Sequence, residues 1–219
     1  MSSLSRRGGE GVGLVHALVL AGGTGERLGG VSKADLDVGF RLLDVVLAGL
    51  APHVSGAVVV VAPPEVPVPD GVGRAMEEPA GGGPLAGIGA GLDFLMGRAG
   101  AVGDDRVVVC SVDSPGAGAL ADRLSSVVLA QHEAGVVIVG GDPEPYTQYL
   151  QAVYRVGPLA RALDGARAVL GGLHGVGVRR VLGGLVLRRV GAPWSECRDV
   201  DTREDLQWWR TRLSSSGSG

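Results

Sequence analysis

Val15 to Leu20 is an unbroken apolar run that passes directly into Ala21-Gly22-Gly23-Thr24-Gly25, the pattern of a strand buried on both faces of a parallel sheet that empties into a glycine-rich loop. A helix follows. From Arg41 onward Leu42, Leu43, Val45, Val46, Leu47 and Leu50 fall at helical spacing until Pro52 ends the pattern. Ala57 to Ala62 is a second buried strand closed by Pro63 and Pro64, and Arg74 to Met76 a short third. After Gly81 to Gly83, Pro84 opens a helix carrying Leu85, Ile88, Leu92 and Leu95. The pattern continues with a strand over Val107 to Cys110, a helix over Ala117 to Gln131, strands over Gly135 to Val139 and Tyr149 to Arg155, a helix over Pro158 to Leu170 and a strand over Leu185 to Val190. Arg198 to Val200 precedes a last helix, which Thr202 can cap with Asp205 three residues on.

Alternating strands and helices of this kind predict an α/β fold: a doubly wound, mostly parallel sheet with helices on both faces, binding its ligands at the carboxyl ends of the strands. One domain, residues 14–213, accounts for the pattern. Residues 1–13 and the Ser/Gly segment Ser214 to Gly219 read as flexible termini.

With 45% hydrophobic and 20% charged residues the 219-residue chain has the make-up of a globular protein, and a formal net charge of -3 offers no field to attract nucleic acid. No apolar run reaches the roughly 18 residues of a membrane span. The two cysteines, Cys110 and Cys197, lack metal-ligand spacing, so a reduced, cytoplasmic setting with buried thiols is expected. Two skews remain. Glycine contributes 39 residues, most of them attributable to a codon bias toward Ala, Gly, Val and Arg, while the chain has a single lysine, Lys33, and no asparagine. A chain that uses Arg elsewhere keeps one Lys where a compact ammonium is needed.

Lys33 follows the glycine loop, as does Arg27. Residues without Cβ let backbone N–H groups approach phosphate oxygens, and two cations at one strand end would neutralise a triphosphate as charge shifts to the leaving pyrophosphate. The loop's spacing fits neither the dinucleotide fingerprint nor the P-loop. Asp113, just past an apolar strand, calls for a cation, a hydrogen-bond donor or solvent; it can equally cap the helix at Ala117. Asp201 is a candidate N-cap of the last helix.

On these residues the chain resembles the MobA-like nucleotidyltransferases, the family of molybdenum cofactor guanylyltransferase. LAGGTGERLGGVSK, Leu20 to Lys33, is similar to the family's opening signature. Glu77-Glu78-Pro79 followed by Gly83-Pro84-Leu85-Ala86-Gly87-Ile88 resembles the segment that seats base and ribose, and VVVCSVDSP, Val107 to Pro115, the strand ending in Asp-x-Pro. QYLQAVYR, Gln148 to Arg155, is similar to the acceptor-side strand, and Asp199 to Leu206 to the closing segment. The resemblance spans residues 14–210. It implies a magnesium-dependent enzyme that moves a nucleoside monophosphate from GTP to molybdopterin and releases pyrophosphate. Arg27, Lys33 and Asp113 would be catalytic, and Asp113, Asp199 and Asp201 metal-binding. The nucleotide would meet Leu20, Ala21, Gly22, Gly23, Thr24, Gly25, Arg27, Lys33, Glu77, Gly83, Pro84, Leu85, Ala86 and Gly87.

The match has departures. Ser32 replaces the Asp that many relatives carry before the lysine, Asp199 and Asp201 stand for a usual pair of Asn, and Glu77 for a common Asp. Two alternatives stay open: cytidylyl or other nucleotidyl transfer to a different phosphorylated small molecule, and a non-catalytic nucleotide-binding homologue. His16, His53, His132 and His174 lack zinc-ligand spacing. Trp208 and Trp209 read as core cover, Cys110 as strand filling, and Arg179 and Arg180 as solvated surface.

Overall fold

Strand β1 (Val15–Leu20) is central because both its faces are apolar, Ala17 and Val19 packing to one side and Leu18 and Leu20 to the other. The structure, a computed structural model, describes residues 13–25 and 30–216. After β1 come a short antiparallel pair, β2 (Thr24–Gly25) and β3 (Val31–Ser32), a 3-10 turn over Lys33–Asp35 and helix α1 (Leu42–Leu50). The chain continues through β4 (Val58–Val61), β5 (Gly73–Ala75), α2 (Pro84–Gly97), β6 (Arg106–Ser111), α3 (Ala117–Ser125), β7 (Gly135–Gly140) and β8 (Tyr146–Arg155). It ends with α4 (Val156–Leu170), α5 (Val178–Leu182), β9 (Leu187–Gly191), α6 (Trp194–Cys197) and α7 (Arg203–Ser216).

The seven-stranded sheet has the order β5-β4-β1-β6-β8-β7-β9. Only β8 runs against its neighbours. Since the chain leaves β1 toward β4 and β5 and returns on the other side as β6, the order reverses between β1 and β6, where such sheets open a ligand crevice. Helices α1 and α3 bury Leu43, Val46, Leu120 and Leu124 against one face of the sheet; α2 and α4 bury Ile88, Leu92, Leu159 and Leu163 against the other. The doubly wound, single-domain architecture expected from the sequence is the one observed.

Differences lie at the ends of elements. Helix α3 stops at Ser125 instead of Gln131, because beyond Leu124 the apolar period changes: Val127 and Leu129 pack on the core while Val128 between them is 85% exposed. Helix α7 runs through Ser216, past the expected boundary at residue 213, and the hydroxyls of Ser214 and Ser215 donate to the carbonyls of Arg210 and Thr211. Thr202 and Asp205 form the expected reciprocal cap, Thr202 N–H donating to Asp205 Oδ2 at 2.8 Å and Asp205 N–H to Thr202 Oγ1 at 3.2 Å.

Two further features position the site. A third apolar cluster joins Leu36, Val38 and Leu42, just after Lys33, to Val200 and Trp209. Trp209 Nε1 also donates to the Arg198 carbonyl at 2.9 Å, so Trp209 is core, as expected. The second feature is the meeting of α1 and α3 at Gly49 and Gly118, where a Cβ on Gly118 would lie 2.9 Å from the Gly49 backbone. These two glycines are packing requirements and not products of composition alone.

At the other end of the sheet Asp105 accepts from the N–H groups of Leu14 (2.8 Å) and Val102 (2.9 Å), and His16 Nε2 lies 3.4 Å away. Ala57 N–H donates to His16 Nδ1, which leaves the ring proton on Nε2, facing Asp105. Burial pushes the Asp105 pKa up, but the two backbone donors and His16 outweigh it and hold the carboxyl below its usual range. The folded state then binds fewer protons than the unfolded one, so this contribution is complete above the free carboxylate pKa of about 4 and is lost as pH falls through the lowered value. Asp105→Ala strands two backbone donors and should lower stability by about 2 kcal/mol. Asp105→Asn should flatten the acid limb of a stability-against-pH curve, and an unchanged limb would contradict the assignment.

Candidate active site

The loop leaving β1 and the turn leaving β6 meet at the crevice between those strands. There Lys33 Nζ donates to Asp113 Oδ2 at 2.7 Å and to Asp201 Oδ1 at 2.5 Å. Residues 80 and 168 positions apart in sequence share one ammonium. Lys33 and Asp113 side chains are mostly covered, Asp201 more open. The loop is held by Ala21 N–H donating to Val61 O at 2.8 Å, and Val200 N–H donates to Asp113 O at 2.7 Å, fastening the closing segment to the end of β6. The third apolar cluster joins the chain shortly after Lys33 to Val200, the residue before Asp201.

Asp199 completes the group through a chain of hydrogen bonds. Gln151 Nε2 donates to Ser114 Oγ, which donates to Asp199 Oδ1 at 2.5 Å. Burial, reinforced by the Asp113 carboxylate, pushes the Asp199 pKa up to about 7, and Ser114 only partly opposes this. Burial pulls the Lys33 pKa down, yet the Asp113 and Asp201 carboxylates outweigh it and hold the ammonium above its ordinary range. Lys33 is therefore a permanent cation held by the Asp113 and Asp201 carboxylates.

Of the expected magnesium ligands, Asp113 and Asp201 meet on Lys33, and Asp199 is tied to Ser114, the residue after Asp113. Among the described residues no group of three or more His, Cys, Asp or Glu side chains is arranged to hold a metal ion. All the donors are oxygens and they outnumber the single cation, which suits a hard divalent ion that shares its ligation with substrate phosphate.

The base-side candidates gather at the other flank of β1. Leu20 ends the strand and packs against Gly87, where a Cβ would lie 3.2 Å from Leu20 Cδ2 and 3.8 Å from Glu77 Oε2. Gly83, at φ +85, turns the chain into Pro84, the first residue of α2, and Leu85 and Ala86 are buried. Gly22 and Gly23 are exposed on the loop after buried Ala21, and Thr24 and Gly25 form β2. Arg27 lies outside the described residues. A cleft of about 500 Å³ includes Glu77, Ala86, Arg167 and His174 in its wall; Lys33 and Asp113 are not among its lining residues.

Sequence reasoning missed Ser114 and Gln151. Gln151, opposite Cys110 in the regular β6–β8 pairing, meets Ser114 from the turn after β6, 37 residues away in sequence, which no local pattern signals. Cys110 fills strand β6, and Trp208 packs partly buried against the third cluster, as read from the sequence. Burial pushes the Cys110 thiol up to about 12 and Cys197 to about 11, so neither is a nucleophile at neutral pH. Arg179 and Arg180 are exposed. No helix among the described residues is long and apolar enough to cross a membrane.

A crevice at the switch point of a doubly wound sheet, with one fixed ammonium facing several carboxylates, is the apparatus of the nucleotidyltransferase class of enzymes. The chain belongs to the MobA-like NTP transferase domain family, whose model matches residues 17–183. No curated protein matches it significantly in sequence. Among solved structures it is similar to molybdopterin-guanine dinucleotide biosynthesis protein A from Archaeoglobus fulgidus, with 20% identity, 91% of this chain and 99% of that one covered and a TM-score of 0.59. It is also similar to 2-C-methyl-D-erythritol 4-phosphate cytidylyltransferase from Thermus thermophilus, at 20% identity, coverage of 92% and 99% and a TM-score of 0.68. A nucleotidyl transferase from Methanothermobacter thermautotroptrophicus matches at 17% identity, coverage of 93% and 99% and a TM-score of 0.63.

Proposed function

We propose that this nucleotidyltransferase moves GMP from GTP to molybdopterin. An oxygen of the acceptor phosphate attacks the α-phosphorus in line, the bond from that phosphorus to the bridging oxygen of the β-phosphate breaks, and pyrophosphate leaves. Lys33, with Arg27 from the same loop, stabilises negative charge on the triphosphate as it moves to the leaving group. The glycine loop Gly22 to Gly25 lies against the phosphates, while Glu77 and Gly83 to Gly87 receive base and ribose. An acceptor phosphate is already ionised at neutral pH, so no general base is needed. Asp113 with Asp199 or Asp201 would hold magnesium, which would supply charge neutralisation to the phosphates.

The observation that carries this reading is the pair of ion pairs joining Lys33 to Asp113 and Asp201 at the switch point. Substrate phosphate oxygens would take over the contacts Lys33 makes with the carboxylates. Thermal-shift titration with GTP, ATP, CTP and UTP, each with magnesium, tests the base. GTP should raise the melting midpoint most, and an equal or larger shift with CTP removes guanylyl transfer in favour of a cytidylyl reaction. Pyrophosphate release only when phosphorylated acceptor is present separates an enzyme from a nucleotide-binding homologue.

A further inference from the structure

Tyr146 opens β8 and is 57% exposed, whereas Tyr154 on the same strand is fully buried. The Tyr146 ring lies over Gly141: a Cβ there would sit 2.7 Å from Tyr146 Cε1, at a backbone φ of +137. Its root is fixed by pairing with Gly140, and Gly140 packs so closely on Cys197 that a Cβ would lie 2.5 Å from the sulfur. Cys197 is two residues from Asp199, so the turn between β7 and β8 is docked on the closing segment. Strand β8 is also the direct neighbour of β6, whose chain leads on to Asp113.

The ring therefore stands on the far side of β6 from the glycine loop. The residues proposed for base and ribose, Glu77 and Gly87, lie on the opposite flank, beyond β1. A nucleotide reaching from that flank to Lys33 leaves the β8 side of the crevice for the second substrate. Burial, and then the fields of Asp199, Cys197, Asp201 and Asp113, raise the Tyr146 pKa, in keeping with a phenol beside the carboxylates. Those carboxylates disfavour an anionic ring and favour one that bears N–H donors.

We propose that Tyr146 selects the acceptor, its exposed face stacking on a planar, N–H-bearing heteroaromatic ring while the acceptor phosphate turns toward Lys33. This rests on the phosphorylated-acceptor reading above and narrows it to one acceptor class. A sugar phosphate without a flat ring would gain nothing from the contact.

The test is acceptor KM, with molybdopterin and GTP, in Tyr146→Phe, Tyr146→Leu and Tyr146→Ala. Phe keeps the ring and should stay within about twofold, whereas Leu and Ala should raise acceptor KM by about tenfold and GTP KM by much less. A second readout needs no turnover: the fluorescence of 6-hydroxymethylpterin should be quenched saturably by the wild-type protein and not by the Ala variant. Wild-type acceptor KM in both Leu and Ala variants, an equal rise in GTP KM, or no saturable quenching by the wild type overturns the proposal. Turnover of molybdopterin with unmoved variants sinks the role of Tyr146 alone. Turnover of 2-C-methyl-D-erythritol 4-phosphate but not molybdopterin sinks the acceptor reading and the stacking together.

Discussion

Lys33→Ala is expected to slow nucleotidyl transfer by about 100-fold or more, the usual scale for losing one preorganised charge at a reacting group. Asp113→Ala should act as strongly, since it removes a carboxylate proposed for magnesium and the partner that sets the ammonium 2.7 Å away. The informative variant is Lys33→Arg. It keeps the charge but replaces a compact ammonium by a planar fork, and Lys33 Nζ reaches two carboxylates at 2.7 and 2.5 Å in a mostly covered position. Turnover should therefore fall by about tenfold or more. Pyrophosphate release measured at saturating GTP reads this directly, and near-normal rates in both Lys33→Ala and Asp113→Ala would remove the two residues from the reaction. Near-normal turnover in Lys33→Arg alone would show that charge suffices there.

The largest effect on stability is expected at Gly118→Val. Two contributions oppose each other: leaving glycine improves helix propensity by up to about 1 kcal/mol, while a new side chain meets the Gly49 backbone at 2.9 Å. Backbone cannot swing aside as a side-chain tip can, so α1 and α3 must separate, loosening Val46 and Leu120 from the sheet. Overpacking of this kind costs about 3 kcal/mol, or roughly 10 °C in melting midpoint for a chain of this size. Gly118→Ala should fall between wild type and Val. A Gly118→Val protein melting within about 2 °C of wild type would show that the helices accommodate the side chain.

How much of this was legible in the sequence depends on the range of the signal. Lys33 and Asp113 could be paired in advance because each follows an apolar strand, and parallel strands bring their carboxyl ends to one edge. Asp201 could be grouped with them only through family likeness, since its position depends on Val200 and Trp209 packing under Leu36 and Val38. Gln151 was illegible because its partner Ser114 comes from a turn 37 residues away, a meeting that no local pattern encodes. Gly49 and Gly118 were hidden for another reason: where glycine is abundant throughout, composition masks the few positions at which a side chain cannot fit. The early end of α3 and the late end of α7 came from local competition, an apolar alternation in one case and serine hydroxyls bonding back to carbonyls in the other.

The cluster around Trp209 has a practical corollary for anyone trimming this enzyme. The family match ends at residue 183, yet the loop bearing the lone lysine leans on side chains contributed after that limit. A fragment cut at the match boundary would retain the glycine loop and Asp113 but lose Val200 and Trp209, on which Leu36, Val38 and Leu42 pack. The stretch beyond the boundary thus acts as a keystone for the first turn of the fold.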